Sequence, residues 1–491
     1  MGHNLDLKTF SNAVEAFDEI QRLYDESTQI VKDTYDQLIK NPSISKAQED
    51  ELKFYLQKNA TYPHIEFRVT DENLNLDPTI SFGVASDPGI YSTTLTHPEI
   101  FKDYLIEQIG LMLKYHKIPI YIGKSKTPIP LPFVLDSGML IQDKETLSLI
   151  KRVFPQVKIQ DIHDHVPNGQ KIRCDEEHYS LSLFNALRVD YSLNRLHHYT
   201  GTHPSHFQNF ILLTNYHRYV KGFCEYSLEN LNDENIEFIE PGNVSVKKIN
   251  GEFVASSERL HHLPQMPAYH LKRKDNNGIT FINIGVGPSN AKNITDNLAV
   301  LRPHCWIMLG HCAGLRRSQE LGDYILAHGY VRHDHVLDID LPPWVTIPPL
   351  AEIQTALQQA VSDITSVTGV DLKSRLRTGT IWGTDDRNWE LKYSQIYEAL
   401  QQHRAIAVDM ESSTLAANGF RFRIPYGTLL CVSDKPLHGE LKLKGPANAF
   451  YNDRIQQHLT IGLETINILR RQGSDMLHSR KLRGFEEPPF R

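Results

Sequence analysis

Apolar residues near the start of the chain recur at three- and four-residue steps: Phe10, Val14, Phe17, Ile20 and Tyr24, then Val31, Tyr35 and Leu38. That spacing puts them on one face of a helix, so residues 5–40 are expected to be helical, with Asn41-Pro42 as the stop. Strict alternation takes over at 64–69 and 79–84, the pattern of half-buried strands. Thr96-His97-Pro98-Glu99 opens a helix over 100–115, with proline in its first turn. The proline-rich stretch 119–132 reads as extended.

From about residue 208 the rhythm changes to strand, glycine turn, helix. Apolar runs occur at 209–213, 280–285, 306–310, 323–327, 380–382, 405–408 and 428–432. Runs that are apolar on both faces are what buried parallel strands look like. The chain is therefore expected to be an α/β protein, with a mostly parallel sheet flanked by helices following a smaller α+β domain. The stretch 160–177 is rich in Asp and His, and the boundary is placed there, giving domains 1–180 and 181–491. The basic, proline-containing tail from 479 onward reads as solvated.

Composition narrows the function. At 491 residues the chain is too long for one core, so two or three domains are expected. Its net charge is −7 (52 basic against 59 acidic residues), which argues against a nucleic-acid-binding face but not against a small phosphorylated ligand. No stretch approaches the ~18 apolar residues a membrane helix needs. The first residues lack the basic-then-apolar order of a signal peptide, so a cytoplasmic location is expected. Five cysteines without paired spacing read as reduced thiols. No CxxC, HExxH or EF-hand pattern occurs, so no protein-bound metal is expected.

Two short runs carry the chemistry. Ala407-Val408-Asp409-Met410-Glu411-Ser412 and Leu429-Leu430-Cys431-Val432-Ser433-Asp434 each end abruptly in carboxylates. Two neighbouring strands of this kind would deliver Glu411 and Asp434 into one crevice at the strand ends. There one carboxylate can bind hydroxyls as an anion while the other, raised by apolar walls, donates a proton. Capping a helix or pairing with an arginine is the competing reading.

Other segments fit a ligand crevice less specifically. The loop Gly285-Val286-Gly287-Pro288-Ser289-Asn290 follows a strand and opens a helix, a place that favours an anion. Asn290 replaces the third glycine of a dinucleotide fingerprint, and a plain tight turn is equally consistent. Gly310-His311-Cys312-Ala313-Gly314 reads as a second glycine turn, with Arg316 and Arg317 after it either solvated or facing a ligand. Arg218 follows a strand end and can fork onto phosphate oxygens or pair with a carboxylate. Asn388 and Trp389 follow another strand, where the indole either stacks on a base or anchors its loop.

Taken in order, these motifs resemble the nucleoside phosphorylase and nucleosidase superfamily, whose Met-Glu and Ser-Asp pairs match 410–411 and 433–434. Over nearly its whole length the chain resembles the AMP nucleosidase family, through RVDYSLNRLHHYTGT (188–202), TNYHRYV (214–220), NIGVGPSNAK (283–292), TDDRNWEL (384–391), LLCVSDKPLHGE (429–440) and LHSRKLR (477–483). The resemblance implies a regulatory N-terminal domain and a phosphorylase-like catalytic domain. It implies that ionised Glu411 binds the ribose hydroxyls with Met410 against the sugar. Asp434 would protonate adenine N7 with Ser433 beside it, kept neutral near pH 7 by the apolar run before it. Arg218 would hold phosphate, Gly285, Gly287, Gly310 and Gly314 would line the sugar-phosphate side, and Asn388 and Trp389 would meet the base. Hexameric phosphorylases carry an arginine where this chain has Met308, which fits hydrolysis rather than attack by inorganic phosphate.

The implied reaction is hydrolysis of AMP to adenine and ribose 5-phosphate, with no cofactor for the chemistry. Mg-ATP as activator, phosphate as inhibitor and a homohexamer are implied as well. The alternatives are an enzyme acting on unphosphorylated adenosine and a nucleotide-sensing protein without activity.

Overall fold

The computed structural model describes residues 6–491 apart from 75–76, 78, 136–142, 171–173, 175–176, 232–234, 442–446 and 478–479. His478 and Ser479 of the 477–483 motif, and part of the polar stretch 160–177, therefore lie outside the described residues. The chain divides into two compact units, Met1–Asn194 with Arg483–Arg491, and Arg195–Leu482.

The first unit contains β1 (Leu7–Phe10), α1 (Ala13–Lys40), α2 (Lys46–Asn59), β2 (Thr61–Val69), β3 (Gly89–Thr94), α3 (Lys102–His116), β4 (Ile120–Pro128), α4 (Lys144–Val153), β5 (His178–Ser180) and the start of α5 (Ala186–Thr200). Its sheet has the order β1-β4-β2-β3-β5. The apolar stripe of α1 packs Phe17, Ile20 and Leu23 against Ile65, Phe67 and Ile122 of the sheet and Ile109 and Met112 of α3. The division falls inside α5, beyond residue 180, because the first turns of that helix are tied into this unit. Asp190 accepts hydrogen bonds from Tyr62 at 2.5 Å and Thr96 at 2.6 Å, and Ala186 and Leu187 join its core.

Three expectations are corrected here. The first residues of the expected helix form β1, which pairs with β4 (Phe10 opposite Ile120). The helix starts only after Asn12, whose side chain accepts from the Val14 and Glu15 amides. The alternating stretch 79–84 is not a strand: Gly83 sits at φ +72 and its N–H donates to the Pro489 carbonyl at 2.8 Å. The tail is docked rather than solvated, with Phe490 fully buried in the core of its unit.

The second unit contains β6 (Phe210–Thr214), α6 (His217–Glu229), β7 (Glu237–Glu240), β8 (Val244–Ile249), β9 (Glu252–Ala255), β10 (Ala268–Lys272), β11 (Ile279–Asn283), α7 (Pro288–Leu298), β12 (Cys305–Gly314), β13 (Tyr324–His333), α8 (Ala351–Thr365), α9 (Gly369–Arg375), β14 (Leu376–Thr384), α10 (Tyr393–His403), β15 (Ala407–Asp409), α11 (Ser412–Phe422), β16 (Tyr426–Asp434) and α12 (Ala447–Gln472). The strands form one sheet of order β15-β14-β13-β16-β12-β6-β11-β10-β7-β8-β9, with helices between them. The strands β11, β6, β12 and β16 run parallel, as do β13, β14 and β15. The sheet as a whole is mixed, because β13 meets β16 antiparallel and the extension through β10, β7, β8 and β9 is antiparallel throughout. Hydrophobic runs report burial, not strand direction, so this part of the topology is silent in the sequence.

An added pairing of β15 with β12 closes β12, β16, β13, β14 and β15 into a ring. Every residue of β12 and of β16 is buried, as expected for strands covered on both faces.

Candidate active site

The two acidic runs lie where the fold can use both. They are not on neighbouring strands, as expected from sequence; β12 runs between them. Its Ala313 pairs with Asp434 of β16 on one side and with Val408 of β15 on the other. With adjacent strands about 4.8 Å apart, the backbones of Val408 and Asp434 lie about 10 Å apart across Ala313. The two strands run in opposite directions, β15 antiparallel and β16 parallel to β12, so Val408 and Asp434 are level while the chain continues from β15 to Glu411 in the opposite sense.

Glu411 follows β15 and stands at the start of α11, 1% exposed. Its Oε1 accepts the Gly287 N–H at 2.6 Å and its Oε2 accepts the Asn215 side-chain amide at 2.8 Å. Asn215 comes from the end of β6, and Gly287 from the turn between β11 and α7. Three strand ends therefore fix one carboxylate. Gly287 has φ +113, a backbone state that favours glycine, and this orients its N–H on Glu411.

Behind Glu411 lies a second acid. Asp409 Oδ2 accepts from the Ser412 amide at 2.9 Å, the Ser412 hydroxyl at 2.5 Å and the Glu411 amide at 3.3 Å. It supplies the cap of α11 that Glu411 leaves unmade. A third, Asp334 just after β13, accepts hydrogen bonds from the Ser413 and Thr414 hydroxyls. Helix and strand approach closely here. A Cβ on Gly383 of β14 would fall 1.8 Å from Ser413 Oγ, so glycine is required.

Burial pushes the Glu411 carboxyl up to about 8, the nearby Asp409 carboxylate pushes it further, and the Gly287 and Asn215 donors oppose the rise. Burial likewise raises Asp409, to about 6. Against the ionised Glu411 that the resemblance implies, burial and Asp409 favour the protonated form here, and the hydrogen bonds from Gly287 and Asn215 favour the anion. Removing Asn215 takes away one of the groups that favour the anion, and the one side chain among them. Asn215→Ala is expected to lower kcat/KM roughly ten- to a hundredfold, as for a hydrogen bond to a charged group. It is also expected to move the rising limb of the pH profile to higher pH, which a kcat/KM series across pH 6–10 checks.

Asp434 is 8% exposed at the end of β16. The Ser433 hydroxyl donates to its Oδ1 at 2.5 Å, with the Cys312 carbonyl as a second acceptor at 3.3 Å. Met410 is half-buried between Asp409 and Glu411, and Arg218 is exposed in the first turn of α6, three residues after Asn215. Gly285 donates to the Asn283 side chain at 3.1 Å, closing the turn that presents Gly287.

Two expectations change. Gly310 and Gly314 do not form a turn: both belong to β12, which continues through a bulge between Cys312 and Ala313. Their role is close packing, since a Cβ on Gly310 would lie 3.0 Å from Met308 Cε and one on Gly314 2.9 Å from Val432 Cγ1. Trp389 is 6% exposed and packs among Trp382, Leu400, Ala405 and Val408, so it anchors its loop rather than offering a face to a base. Asn388 is exposed and its N–H donates to Asp386 at 2.9 Å, a turn contact. The residues that sequence reasoning left without a role are Asn215, Asp409 and Asp334. Only Asp409 carried a signal, as the third carboxylate of the paired acidic runs.

Residues 15–178 match the family model for the bacterial AMP nucleoside phosphorylase N-terminus, and residues 257–459 match that of the phosphorylase superfamily. The AMP nucleosidase of Escherichia coli (strain K12) is 45% identical over 97% of this chain and 98% of its own. A DeoD-type purine nucleoside phosphorylase of Oceanobacillus iheyensis is 26% identical over 33% of this chain and 63% of its own. A solved structure of AMP nucleosidase from Bacteroides thetaiotaomicron VPI-5482 is 27% identical, covers 58% of this chain and 98% of that one, and superposes with a TM-score of 0.42. With the family's paired acids in place and near-complete coverage at 45% identity, the chain belongs to the AMP nucleosidase family.

Proposed function

We propose that this protein hydrolyses the N-glycosidic bond of AMP, giving adenine and ribose 5-phosphate. The observation that carries the reading is Glu411, a buried carboxylate held by Gly287 and Asn215 just after the strand whose Val408 is level with Asp434 across β12. Cleaving this bond needs a base that can leave and a sugar that tolerates positive charge. Asp434, as general acid, protonates adenine N7 so that adenine departs neutral. Glu411 binds the ribose 2′ and 3′ hydroxyls. Burial makes the empty site resist ionising Glu411, and a growing oxocarbenium charge beside it favours the anion. Its attraction is therefore strongest in the transition state, the condition for catalysis rather than mere binding. Water attacks the anomeric carbon.

The 5′-phosphate serves as a remote anchor, with Arg218 at the start of α6 as its ligand. That role predicts discrimination against adenosine, because charge-assisted contacts to phosphate are lost. Measured side by side, kcat/KM for AMP is expected to exceed that for adenosine by roughly a hundredfold or more. Equal values would favour the nucleoside enzyme. The regulatory reading, with Mg-ATP as activator and phosphate as inhibitor, rests on the family resemblance and the N-terminal model match. The homohexamer and the cytoplasmic location belong to the same proposal. Among the described residues no helix is long and apolar enough to cross a membrane.

A further inference from the structure

Helices α7 and α11 pack side by side. Their starts meet where the Gly287 N–H donates to Glu411 at 2.6 Å. Their far ends meet in a second, buried polar contact, so the two helices run in the same sense. Asn418 of α11 donates to Thr295 Oγ1 at 2.8 Å and to Asp296 Oδ1 at 2.9 Å, both on α7. Arg421, with none of its side chain exposed, donates to Asn418 Oδ1 at 2.6 Å and to Asp296 Oδ1 at 3.4 Å. Asp340, from the loop after β13, lies 3.5 Å from the same guanidinium. Lys292 completes the group, 2.7 Å from Asp296 and 3.6 Å from Asp340.

A buried guanidinium is costly unless partners hold it, and even then its net contribution to stability is small. What such a group sets well is register. The apolar residues that α7 buries, Ala291, Ile294 and Leu298, tolerate small slides, because apolar contact is non-directional. The hydrogen bonds of Asn418 and Arg421 do not, since they weaken steeply once distance or angle departs. At a rise of about 1.5 Å per residue, Asp296 lies about 13 Å along α7 from Gly287, and Arg421 about 15 Å along α11 from Glu411. Two stiff helices of nearly equal reach therefore join the two contacts. A slide at the far end is delivered to the bond between Gly287 and Glu411 almost undiminished.

We propose that Asp296 and Arg421 are positioning residues for the glycosidic cleavage: they lock the register of α7 on α11 and so hold the Gly287 N–H on Glu411. The inference rests on Glu411 being the ribose-binding acid of the proposed reaction. A slide on the order of 1 Å would break the 2.6 Å bond, and misplacement of that size costs up to about a hundredfold in rate. It would also leave Glu411 harder to ionise. Of the groups around that carboxyl, burial and Asp409 favour the protonated form, and Gly287 and Asn215 favour the anion.

Steady-state kinetics of Asp296→Asn, which keeps the shape of the side chain, test this in the full-length protein. Its kcat/KM for AMP is expected to fall about tenfold, the scale of a weakened charge-assisted hydrogen bond. The rising limb of its pH profile is expected to move to higher pH, because a donor to the anion is loosened. Removal of a distant negative charge by itself would move that limb the other way. In a Glu411→Gln background the same substitution is expected to cost nothing further, as for residues that act as a unit. Arg421→Lys, which keeps the charge but not the fork, is expected to move the limb in the same direction as Asp296→Asn. Ile294→Val, a buried change in α7 that spares the polar group, serves as control, with a lower denaturation midpoint and an unmoved limb. An unmoved or lowered limb in Asp296→Asn, or an equal loss in the Glu411→Gln background, would overturn the proposal. Denaturation midpoints across pH 6–10 give a readout that needs no substrate. Their fall with pH is expected to extend to higher pH in Asp296→Asn than in wild type, because the folded-state pKa of Glu411 rises further. Identical curves would overturn the positioning role. A wild type that releases no adenine from AMP would refute the reaction alone, and the midpoints would still decide this inference.

Discussion

Replacing Asp434 by asparagine is expected to lower kcat for AMP by ~10²–10⁴-fold, the usual contribution of a positioned general acid. KM is expected to change little. Asparagine keeps the shape of the side chain, and its carbonyl oxygen can still accept from Ser433, which donates to Asp434 Oδ1 at 2.5 Å. What it cannot do is hand a carboxyl proton to the departing base. The effect therefore falls on the chemical step, and steady-state kinetics of the two proteins separate kcat from KM. A substrate analogue whose base leaves without protonation should lose far less, which distinguishes a proton donor from a residue that merely shapes the pocket.

The second large effect is expected at Glu411. Glu411→Gln is predicted to reduce kcat/KM by ~10²–10³-fold, comparable with removal of a preorganised electrostatic group. The glutamine also meets two donors, Gly287 N–H and Asn215 Nδ2, with only one acceptor oxygen. In the wild type, kcat/KM should rise with pH as Glu411, raised to about 8, ionises in the free enzyme. That limb should be absent in the variant.

Stability carries the same signature with a definite sign. The folded-state pKa of about 8 lies above the ordinary value of 4.5, so between them the native state holds a proton that the unfolded chain has released. The stabilisation is complete below pH 4.5 and is lost as pH rises through 8. Asp409, raised to about 6, adds a smaller loss in the same direction and remains in the variant. Denaturation midpoints between pH 5 and 9 should therefore fall more steeply for wild type than for Glu411→Gln. Equal slopes would mean that Glu411 is not the buried proton holder.

Much of this site is legible in the chain because burial on both faces leaves a strong mark. The runs before Asp409 and Asp434 are continuous and apolar, and the polar residues that end them had to lie at a strand end or be stranded in the core. What the pattern does not carry is partnership. Nothing in a hydrophobic run says that β12 separates the two acidic strands, or that β13 meets β16 antiparallel. Asn215 and Gly287 act on a residue 196 and 124 positions away, a relation only the folded chain displays. Gly310 and Gly314 misled because glycine serves turns and close packing alike. Here both glycines lie inside a strand, where a Cβ on Gly314 would crowd Val432. Trp389 misled for a related reason, since an indole in a polar loop is equally a stacking face or an anchor. Its packing against Leu400 and Val408 settles the matter through tertiary contacts that local sequence does not encode. At the other end of the chain, Gly83 and Phe490 show the same limit: an alternating stretch became a docking place for a tail that read as solvated.

The central claim is that Glu411 and Asp434 cleave AMP with water as the nucleophile. The most direct measurement is product analysis of AMP with the purified protein in buffer free of inorganic phosphate, followed by the same reaction with phosphate added. The account predicts adenine and ribose 5-phosphate in equal amounts in the first reaction, and no ribose 1,5-bisphosphate in the second. Adenine that forms only when phosphate is present, together with the bisphosphate, would contradict it.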